Sequence, residues 1–382
     1  MKNTTASVLT GVHPLSAEAL LPWELRSRVE RGCDVQSFEE RWRELQSRRP
    51  PAESRGERAA MASWRMWEDS VEALYREVSN APGDAPDMAR AEPSAFQGIK
   101  NTAPRRIEPA PPAEGDKAWV GRARAALLAT LRRELETGSP EVVGESVPWL
   151  LSVELVEEQG IGLLPDHVGR CWLRRIPPAL LTTDNFIPYA NALNGHSYPV
   201  TSTRRHPLRE QDGAMARGIL YGLMSPGNPR RAARLAFHDA AFSHTRNGIF
   251  AAMALAAGIA AGLRGGGRTV MLEAALDVIP MHSRLAAAIA GQLLGWPAAL
   301  PYEWSLEALN PRHAIVSFLE IAGDGSGMPA SPVDGGRPLA RRLAHGAWEA
   351  VALGLTAEPG DHEPVEGLLE RVVGLARLLV NA

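Results

Sequence analysis

The sequence predicts an all-α fold, a compact orthogonal bundle of many helices. Apolar residues recur at three- and four-residue spacing through much of the 382 residues, which is the period of an amphipathic helix. Alternating runs of β-branched residues, which would indicate strands, do not occur. Prolines and glycines interrupt the chain at regular intervals, so we expect many short packed helices rather than a long coil.

Composition divides the chain into three predicted parts. Residues 1–90 are expected to form an N-terminal helical extension, because the apolar residues of the run that starts at Met61 recur at helical spacing. Residues 91–115 are rich in proline and lack periodicity, which predicts an extended connection. Residues 116–382 are expected to form the main helical domain.

Within the main domain, helix-start and helix-stop residues locate the elements. Pro148 is assigned to the first turn of a helix that Gly160 closes, and Asn228-Pro229 is an N-cap followed by proline. The triplet Gly265–Gly267 is interpreted as a helix end and turn, because no strand precedes it. The predicted helices span residues 118–135, 148–159, 166–174, 211–223, 269–276, 283–294, 337–355 and 365–380, with one more that begins at Asn228.

The bulk composition narrows the possible partners and the compartment. A formal net charge of −3 argues against a nucleic acid or a membrane surface as the main partner. Cys33 and Cys171 supply neither a disulfide framework nor a zinc set. The N-terminus has no continuous apolar stretch typical of a signal peptide, and the apolar run 249–263 is too short to span a bilayer. We therefore expect a cytoplasmic protein.

The most informative stretch is the polar run from Asp239 to Gly248, which leads into a segment of small apolar residues. If this stretch is helical, Asp239, Ser243 and Asn247 are spaced at i, i+4 and i+8 and lie on one face. The residues after Gly248 are almost all Ala, Gly, Met, Leu and Ile, as in a core helix. The sequence therefore predicts a polar cluster at the mouth of a buried helix.

Several segments, in order over roughly residues 90–300, together resemble the ADP-ribosylglycohydrolase family, which includes dinitrogenase-reductase-activating enzymes and crystallin J1. The similarity is best for bacterial members with a helical N-terminal extension, and it implies the fold of that family. It also implies a pocket for ADP-ribose that is contacted by His244. The segments that carry the resemblance are Glu92–Ser94, Trp119–Ala123, Gly160–Pro178, Asn191–Gly195, Gly213–Arg217, Ser225–Pro229 and Ser243–Gly248.

The sequence departs from this family at its metal-binding carboxylates. The resemblance implies two Mg²⁺ ions held by an acidic run near residues 143–145, where this chain has Val143, Gly144 and Glu145. A second motif, D-x-D-[TS], is not found after residues 315–320, and Ile219 replaces a further acid. Magnesium needs several oxygen ligands, so we expect no metal and no other cofactor.

Two carboxylates remain as candidate catalytic groups, because cleavage of a ribosyl bond needs a carboxylate or a metal-organised water. Glu145 is one, with the alternative that it only complements a helix dipole. Asp239 is the other, with the alternative of an ordinary salt bridge to Arg246 or Arg234.

The candidate substrate-binding residues each have a structural alternative. Ser243 and Asn247 also fit a local cap of the helix start, and Gly248 fits close packing as well as ligand approach. Arg217 suits a phosphate group or an ion pair with Glu210. The complete candidate set is Ser243, His244, Asn247, Gly248, Arg217 and Asn194, of which Asn194 also fits a simple turn and His244 a hydrogen-bonded core group.

Three functions follow as hypotheses. The first is a divergent, metal-independent glycohydrolase that cleaves an N-ribosyl bond in an ADP-ribosylated or nucleotide-derived small molecule. The second is an inactive relative that binds ADP-ribose-like ligands or a protein partner. The third is a structural protein, since the family includes a lens crystallin. A carboxylate beside His244 would favour the enzyme, and an apolar or filled cavity there would favour the structural role.

Overall fold

The computed structural model describes residues 15–112, 116–137, 141–294, 309–310, 312–323, 339–357 and 363–380. Within these ranges the chain forms helices and no β-strand, apart from one isolated antiparallel bridge between Gln211 and His313. The predicted all-α bundle is therefore confirmed. None of the helices in the described ranges is both long enough and apolar enough to cross a membrane.

The chain folds as two compact units. The first comprises the described residues up to Arg90 together with Arg204–Leu208. It contains α1 (Ala17–Val29), α2 (Gln36–Ser47) and α3 (Met61–Asn80), and α4 (Pro86–Ala91) ends at its boundary. The helical spacing predicted for α3 is confirmed, because its buried residues recur every three or four positions: Trp64, Trp67, Val71, Leu74, Tyr75 and Val78.

Two tryptophans of α3, Trp64 and Trp67, are core residues rather than the lining of an aromatic pocket. Trp64 and Trp67 pack edge to face with ring centroids 5.7 Å apart, and both are buried. The Trp67 indole N–H donates to the Leu45 carbonyl at 2.8 Å, which joins α3 to α2. The Arg49 guanidinium lies over both rings.

The second unit comprises Ala91–Thr203 and Arg209–Ala382, again over the described residues. A 3₁₀ helix, Asp212–Arg217, leads directly into its central helices. The α-helices are α5 (Phe96–Thr102), α6 (Ala118–Thr137), α7 (Glu141–Gln159), α8 (Pro165–Arg175), α9 (Thr183–Leu193), α10 (Val200–Thr203), α11 (Gly218–Leu223), α12 (Pro229–Ala241), α13 (Asn247–Gly262), α14 (Gly267–Val278), α15 (Arg284–Leu294), α16 (Ala314–Ala322), α17 (Leu339–Ala352) and α18 (Glu363–Val380).

Helix α13 is the centre of the second unit, and all of its 16 residues are buried. Helices α11, α12, α14, α16 and α17 pack against it. Small residues allow this close packing: a Cβ added to Gly218 would lie 2.5 Å from the Ala252 carbonyl oxygen. On another side, a Cβ added to Gly258 would lie 2.5 Å from Cη2 of Trp348 on α17. The predicted core helix is confirmed.

Local signals located most helix boundaries, and two of these predictions were wrong. The Asn228 side chain accepts a hydrogen bond from the Arg231 N–H at 3.0 Å, as expected for the N-cap of α12. However, residues 91–115 contain the helix α5, so they are not wholly extended. Pro148 lies inside α7 rather than in its first turn, because the lost hydrogen bond is offset by burial of the following Trp149 and Val153.

Candidate functional site

The polar run that the sequence singled out forms a turn between α12 and α13 rather than one continuous helix. The Thr245 N–H donates to the Arg209 carbonyl at 2.9 Å, outside the helical ladder, and the Ser243 hydroxyl donates to the Ala240 carbonyl at 3.3 Å. Arg246 has a positive φ of 46°. The shared face of Asp239, Ser243 and Asn247 was expected only for a continuous helix, and that condition is not met because α12 ends before Ser243.

Asp239 lies in the last turn of α12 and is paired with Arg217, the last residue of the 3₁₀ helix. Arg217 Nε lies 3.0 Å from Asp239 Oδ1, and the exposed fractions of the two side chains are 2% and 1%. Tyr221 donates to Asp239 Oδ2 at 2.7 Å, and Ser152 donates to the same oxygen at 3.3 Å. The proposed partners Arg246 and Arg234 are wrong, because the approach of the 3₁₀ helix brings Arg217 to this carboxylate instead.

Burial dominates the electrostatics of this pair. It raises the pKa of the Asp239 carboxyl, while Arg217 and the hydrogen bonds from Tyr221 and Ser152 act in the opposite direction. The pKa of the Tyr221 hydroxyl is raised well above its ordinary value, first by burial and then by the neighbouring Asp239. Neighbouring side chains contact both oxygens of Asp239: Arg217 faces Oδ1, and Tyr221 and Ser152 donate to Oδ2. Its role as a catalytic acid remains a prediction.

The Arg217 guanidinium is also occupied on its other two nitrogens. Nη1 donates to Asn185 Oδ1 at 3.2 Å, and Nη2 donates to Ser243 Oγ at 2.6 Å. Its Cζ lies over the Trp172 ring, 4.9 Å from the ring centroid. The alternative pairing of Arg217 with Glu210 is wrong, and the fork predicted for a phosphate instead ties three helical elements to the turn.

His244 follows Ser243 in the turn and contacts a carboxylate from α9. Its Nδ1 lies 2.7 Å from Ser243 Oγ, and its Nε2 lies 3.9 Å from Asp184 Oδ2. Asp184 is 1% exposed, and among the described residues neither of its oxygens has a hydrogen-bond partner. Arg312 Nη2 lies 3.8 Å from Oδ2, and a Cβ added to Gly213 would overlap the carboxylate. The carboxylate that sequence reasoning looked for beside His244 is therefore Asp184.

Asn247 opens α13 and belongs to a second buried cluster formed by Glu92, Glu210 and Arg284. Its Nδ2 donates to Glu92 Oε2 at 2.8 Å and to Glu210 Oε2 at 2.9 Å. Arg284 Nη2 donates to the same two oxygens at 2.9 and 3.2 Å, and its backbone N–H donates to Glu92 Oε1. Asn247 thus links two carboxylates that both accept hydrogen bonds from Arg284, so it is part of a buried hydrogen-bond network.

His313 stands at the edge of this second cluster. Burial, followed by the nearby Arg284, lowers the pKa of His313 to about 3. Its Nδ1 accepts a hydrogen bond from the Ile315 N–H at 3.3 Å and caps α16, so the ring is neutral at pH 7.

Gly248 and Asn194 each have a structural role, and only the helical backbone of Glu145 is described. Gly248 is required for packing, because a Cβ there would lie 2.8 Å from the Arg209 carbonyl oxygen and 3.0 Å from His244 Cδ2. Asn194 lies in an exposed turn and donates to the Ala190 carbonyl at 2.8 Å. Glu145 belongs to α7, but its side chain is outside the described residues.

The sequence did not single out Asp184, Asn185 or Arg284, and it did not indicate the contacts of Glu92 and Glu210 with Arg284. Asp184 reads as an ordinary first-turn acid of α9, and only its burial distinguishes it. Glu92 and Arg284 are 192 positions apart, so no local pattern connects them.

In the part of the chain that the structure describes, no group of three His, Cys, Asp or Glu side chains is placed to hold a metal ion. Asp184 and Asp212 approach each other through Arg312, whose Nη2 lies 3.3 Å from Asp212 Oδ1. Ser317 donates to the other oxygen of Asp212 at 2.9 Å. An arginine thus occupies the position between these two carboxylates, where a divalent cation would compete with it.

The chain gives no significant match to family models, to curated proteins or to solved structures. The resemblance to ADP-ribosylglycohydrolases therefore depends on the motifs alone.

Proposed function

We propose that the second unit is a glycohydrolase that cleaves an N-ribosyl bond in an ADP-ribosylated or nucleotide-derived small molecule without a resident metal. One observation carries the proposal: the Asp184 carboxylate lies beside His244 Nε2, and neither of its oxygens accepts a hydrogen bond from the part of the chain that the structure describes. A carboxylate next to an imidazole is a pair suited to proton transfer. The retained turn from Ser243 to Gly248 adds the support of the family resemblance.

In this proposal Asp184, rather than Asp239, acts as the base. The ribosyl bond breaks through an oxocarbenium-like state, and a water oxygen forms the new bond to the anomeric carbon. Asp184 takes a proton from that water, and His244 delivers a proton to the leaving nitrogen. Asp239 and Arg217 then act as a positioning pair, since Arg217 holds the Ser243 hydroxyl that bonds His244 Nδ1.

Turnover of ADP-ribosylated small molecules, followed by mass spectrometry with and without a metal chelator, tests this proposal. We expect product formation that the chelator leaves unchanged. Asp184→Asn should reduce kcat by about 10²–10⁴-fold, the usual contribution of a general base. Glu273→Gln, which changes an exposed acid on α14, is the matched control and should retain full activity. Loss of activity with chelator, or full activity in Asp184→Asn, would contradict the proposal.

A second candidate function is binding of an ADP-ribose-like ligand, or of a protein partner, without turnover. The observation that favours it is burial, because His244 is 0% exposed and Asp184 is 1% exposed. Arg312, with 22% of its side chain exposed, is the neighbour that contacts solvent. Calorimetric titration with ADP-ribose, with and without Mg²⁺, separates the two functions: binding without any product favours this candidate, and product formation favours the hydrolase. Absence of binding would favour the structural hypothesis.

A further inference from the structure

The second unit contains a cavity of about 410 Å³ that includes none of the candidate site residues. It lies at the N-terminal end of α12 and is bounded by α5, α13, α14 and α18. Arg231 lines this cavity, whereas Asp239 lies eight residues further along the same helix, which corresponds to about 12 Å of axial rise. The volume is within the usual range for small-molecule sites, roughly 300–1,000 Å³. We call it the basic pocket.

The wall of the basic pocket combines an apolar floor with an excess of positive charge. Its apolar part comes from Phe96, Ile99, Leu235, Met253, Val278 and Leu379. Among the described residues, five cationic side chains and a single carboxylate also line it: Lys100, Arg105, Arg230, Arg231, Arg234 and Asp277.

The carboxylate of Asp277 does not neutralise these cations. It accepts hydrogen bonds from the backbone N–H groups of Arg106 and Ile107, the latter at 3.0 Å. Among the described residues, no carboxylate forms an ion pair with Arg231 or Arg234, and the exposed Glu108 pairs only with Arg230, at 3.4 Å. The pocket therefore carries uncompensated positive charge, which attracts an anion.

Arg231 gives the most specific indication that the basic pocket binds an anion. Its Nη1 donates to the Leu379 carbonyl in the last turn of α18, and its Nε donates to Ser225 Oγ at 3.3 Å. Its Nη2 is buried and has no hydrogen-bond partner within the described ranges, and the same is true of Arg230 Nε. A buried N–H without an acceptor costs free energy, so a ligand that supplies an acceptor here gains affinity.

We propose that the basic pocket binds an anionic amphiphile, a small molecule with an apolar chain or ring and a carboxylate or phosphate head. The head accepts hydrogen bonds from Arg231 Nη2 and Arg230 Nε, and Arg234 and Lys100 add charge at the rim. The apolar part lies against Phe96, Leu235 and Met253. This site is independent of the proposed hydrolase site, because the two share no residue.

Calorimetric titration of the full chain with decanoate, decyl phosphate and 1-decanol tests the proposal, with each probe below its micelle concentration. We expect one molecule of decanoate or decyl phosphate to bind per chain, and the neutral alcohol to bind at least about tenfold more weakly. The stronger of the two anions identifies the preferred head group. Added salt should weaken binding of both anions. Inorganic phosphate, which lacks the apolar part, should bind more weakly than decyl phosphate.

Three variants make the test specific to the pocket. Arg231→Met should weaken binding of the anions by about tenfold or more, because it removes the buried donor. Arg234→Met changes an exposed side chain without an ion-pair partner, so it leaves the fold intact and should weaken binding less. Arg174→Met, an exposed arginine on α8 paired with Glu158, is the control and should bind like the wild type. Equal binding of decanol and decanoate, unchanged binding in both pocket variants, or no binding of any probe would overturn the proposal.

Discussion

Replacement of Arg217 by methionine tests the buried ion pair that joins the 3₁₀ helix to α12. The change removes the charge that faces Asp239 and the hydrogen bonds to Asn185 and Ser243. Loss of one partner of a buried pair typically costs about 3–5 kcal/mol, because the other charge stays buried without compensation. We expect a decrease of that size in the free energy of unfolding at pH 7, measured by chemical denaturation with circular dichroism.

The pH dependence of the free energy of unfolding provides a second test of the same variant. Burial already raises the pKa of Asp239 above its value of 3.8 in the unfolded chain, and loss of Arg217 raises it further. A carboxyl whose folded pKa is raised binds its proton more tightly in the folded state, so stability is lost as pH rises through that pKa. The defect of Arg217→Met should therefore shrink as the pH is lowered through the raised pKa of Asp239.

The double variant Arg217→Met with Asp239→Asn is the matched control. Removing both charges leaves no uncompensated ion, so it should recover much of the lost stability. A loss below about 1 kcal/mol in the single variant, or a double variant no more stable than the single one, would refute the reasoning.

Three further predictions follow from other buried residues. Gly258→Ala should lower the free energy of unfolding by about 1–3 kcal/mol in chemical denaturation, because its Cβ would overlap the Trp348 ring. The free energy of unfolding should fall as the pH is lowered from 6.5, because His313 is protonated below pH 6.5 in the unfolded chain but only near pH 3 in the folded protein. The variant His313→Asn should reduce this loss between pH 6.5 and 5 by about 1.5–2 kcal/mol. Cys171, whose thiol pKa burial raises to about 11, should resist alkylation at pH 7.5 while the partly exposed Cys33 reacts, as measured by mass spectrometry.

Each of these predictions has a contradicting outcome. Gly367→Ala is the control, because a Cβ added to this exposed glycine of α18 would have no neighbouring atom within 4 Å. This variant should be neutral or stabilising by up to about 1 kcal/mol. A similar loss in both glycine variants would contradict the packing argument. An unchanged pH slope in His313→Asn would show that this ring is not buried and neutral. Equal alkylation of both cysteines in the folded protein would show that Cys171 is accessible.

Periodicity and local caps predicted the helical framework but not the pairing of buried charges. Helix α13 was predictable because 16 successive residues, starting at Asn247, contain no charged side chain. The N-cap at Asn228 was predictable because its hydrogen bond reaches only three residues ahead. By contrast, the partner of Asp239 depends on which helix approaches it, and Arg217, Arg234 and Arg246 have equivalent chemistry in the sequence.

The candidate site was predictable only in part for the same reason. The polar residues at the mouth of α13 follow from composition, and the resemblance pointed to His244. Asp184 lies 60 residues before His244 in the chain. Its position beside His244 follows from the packing of α9 against the 3₁₀ helix at Gly213, which no local sequence pattern indicates. The turn at residues 242–246 was missed because it depends on the Arg209 carbonyl, an acceptor from a distant segment.

The complete burial of α13 depends on helices that the ribosome synthesises after it. Helix α12 precedes α13 in the chain, but α14, α16 and α17 follow it, and the last of these ends at Ala352. At roughly 5–20 residues per second, the ribosome needs about 5 to 18 s to pass from the end of α13 to the end of α17. During that interval the helix has its two earlier neighbours, α11 and α12, and lacks the later ones. Nascent chains that stop between these two points should therefore expose an apolar surface that the finished protein covers.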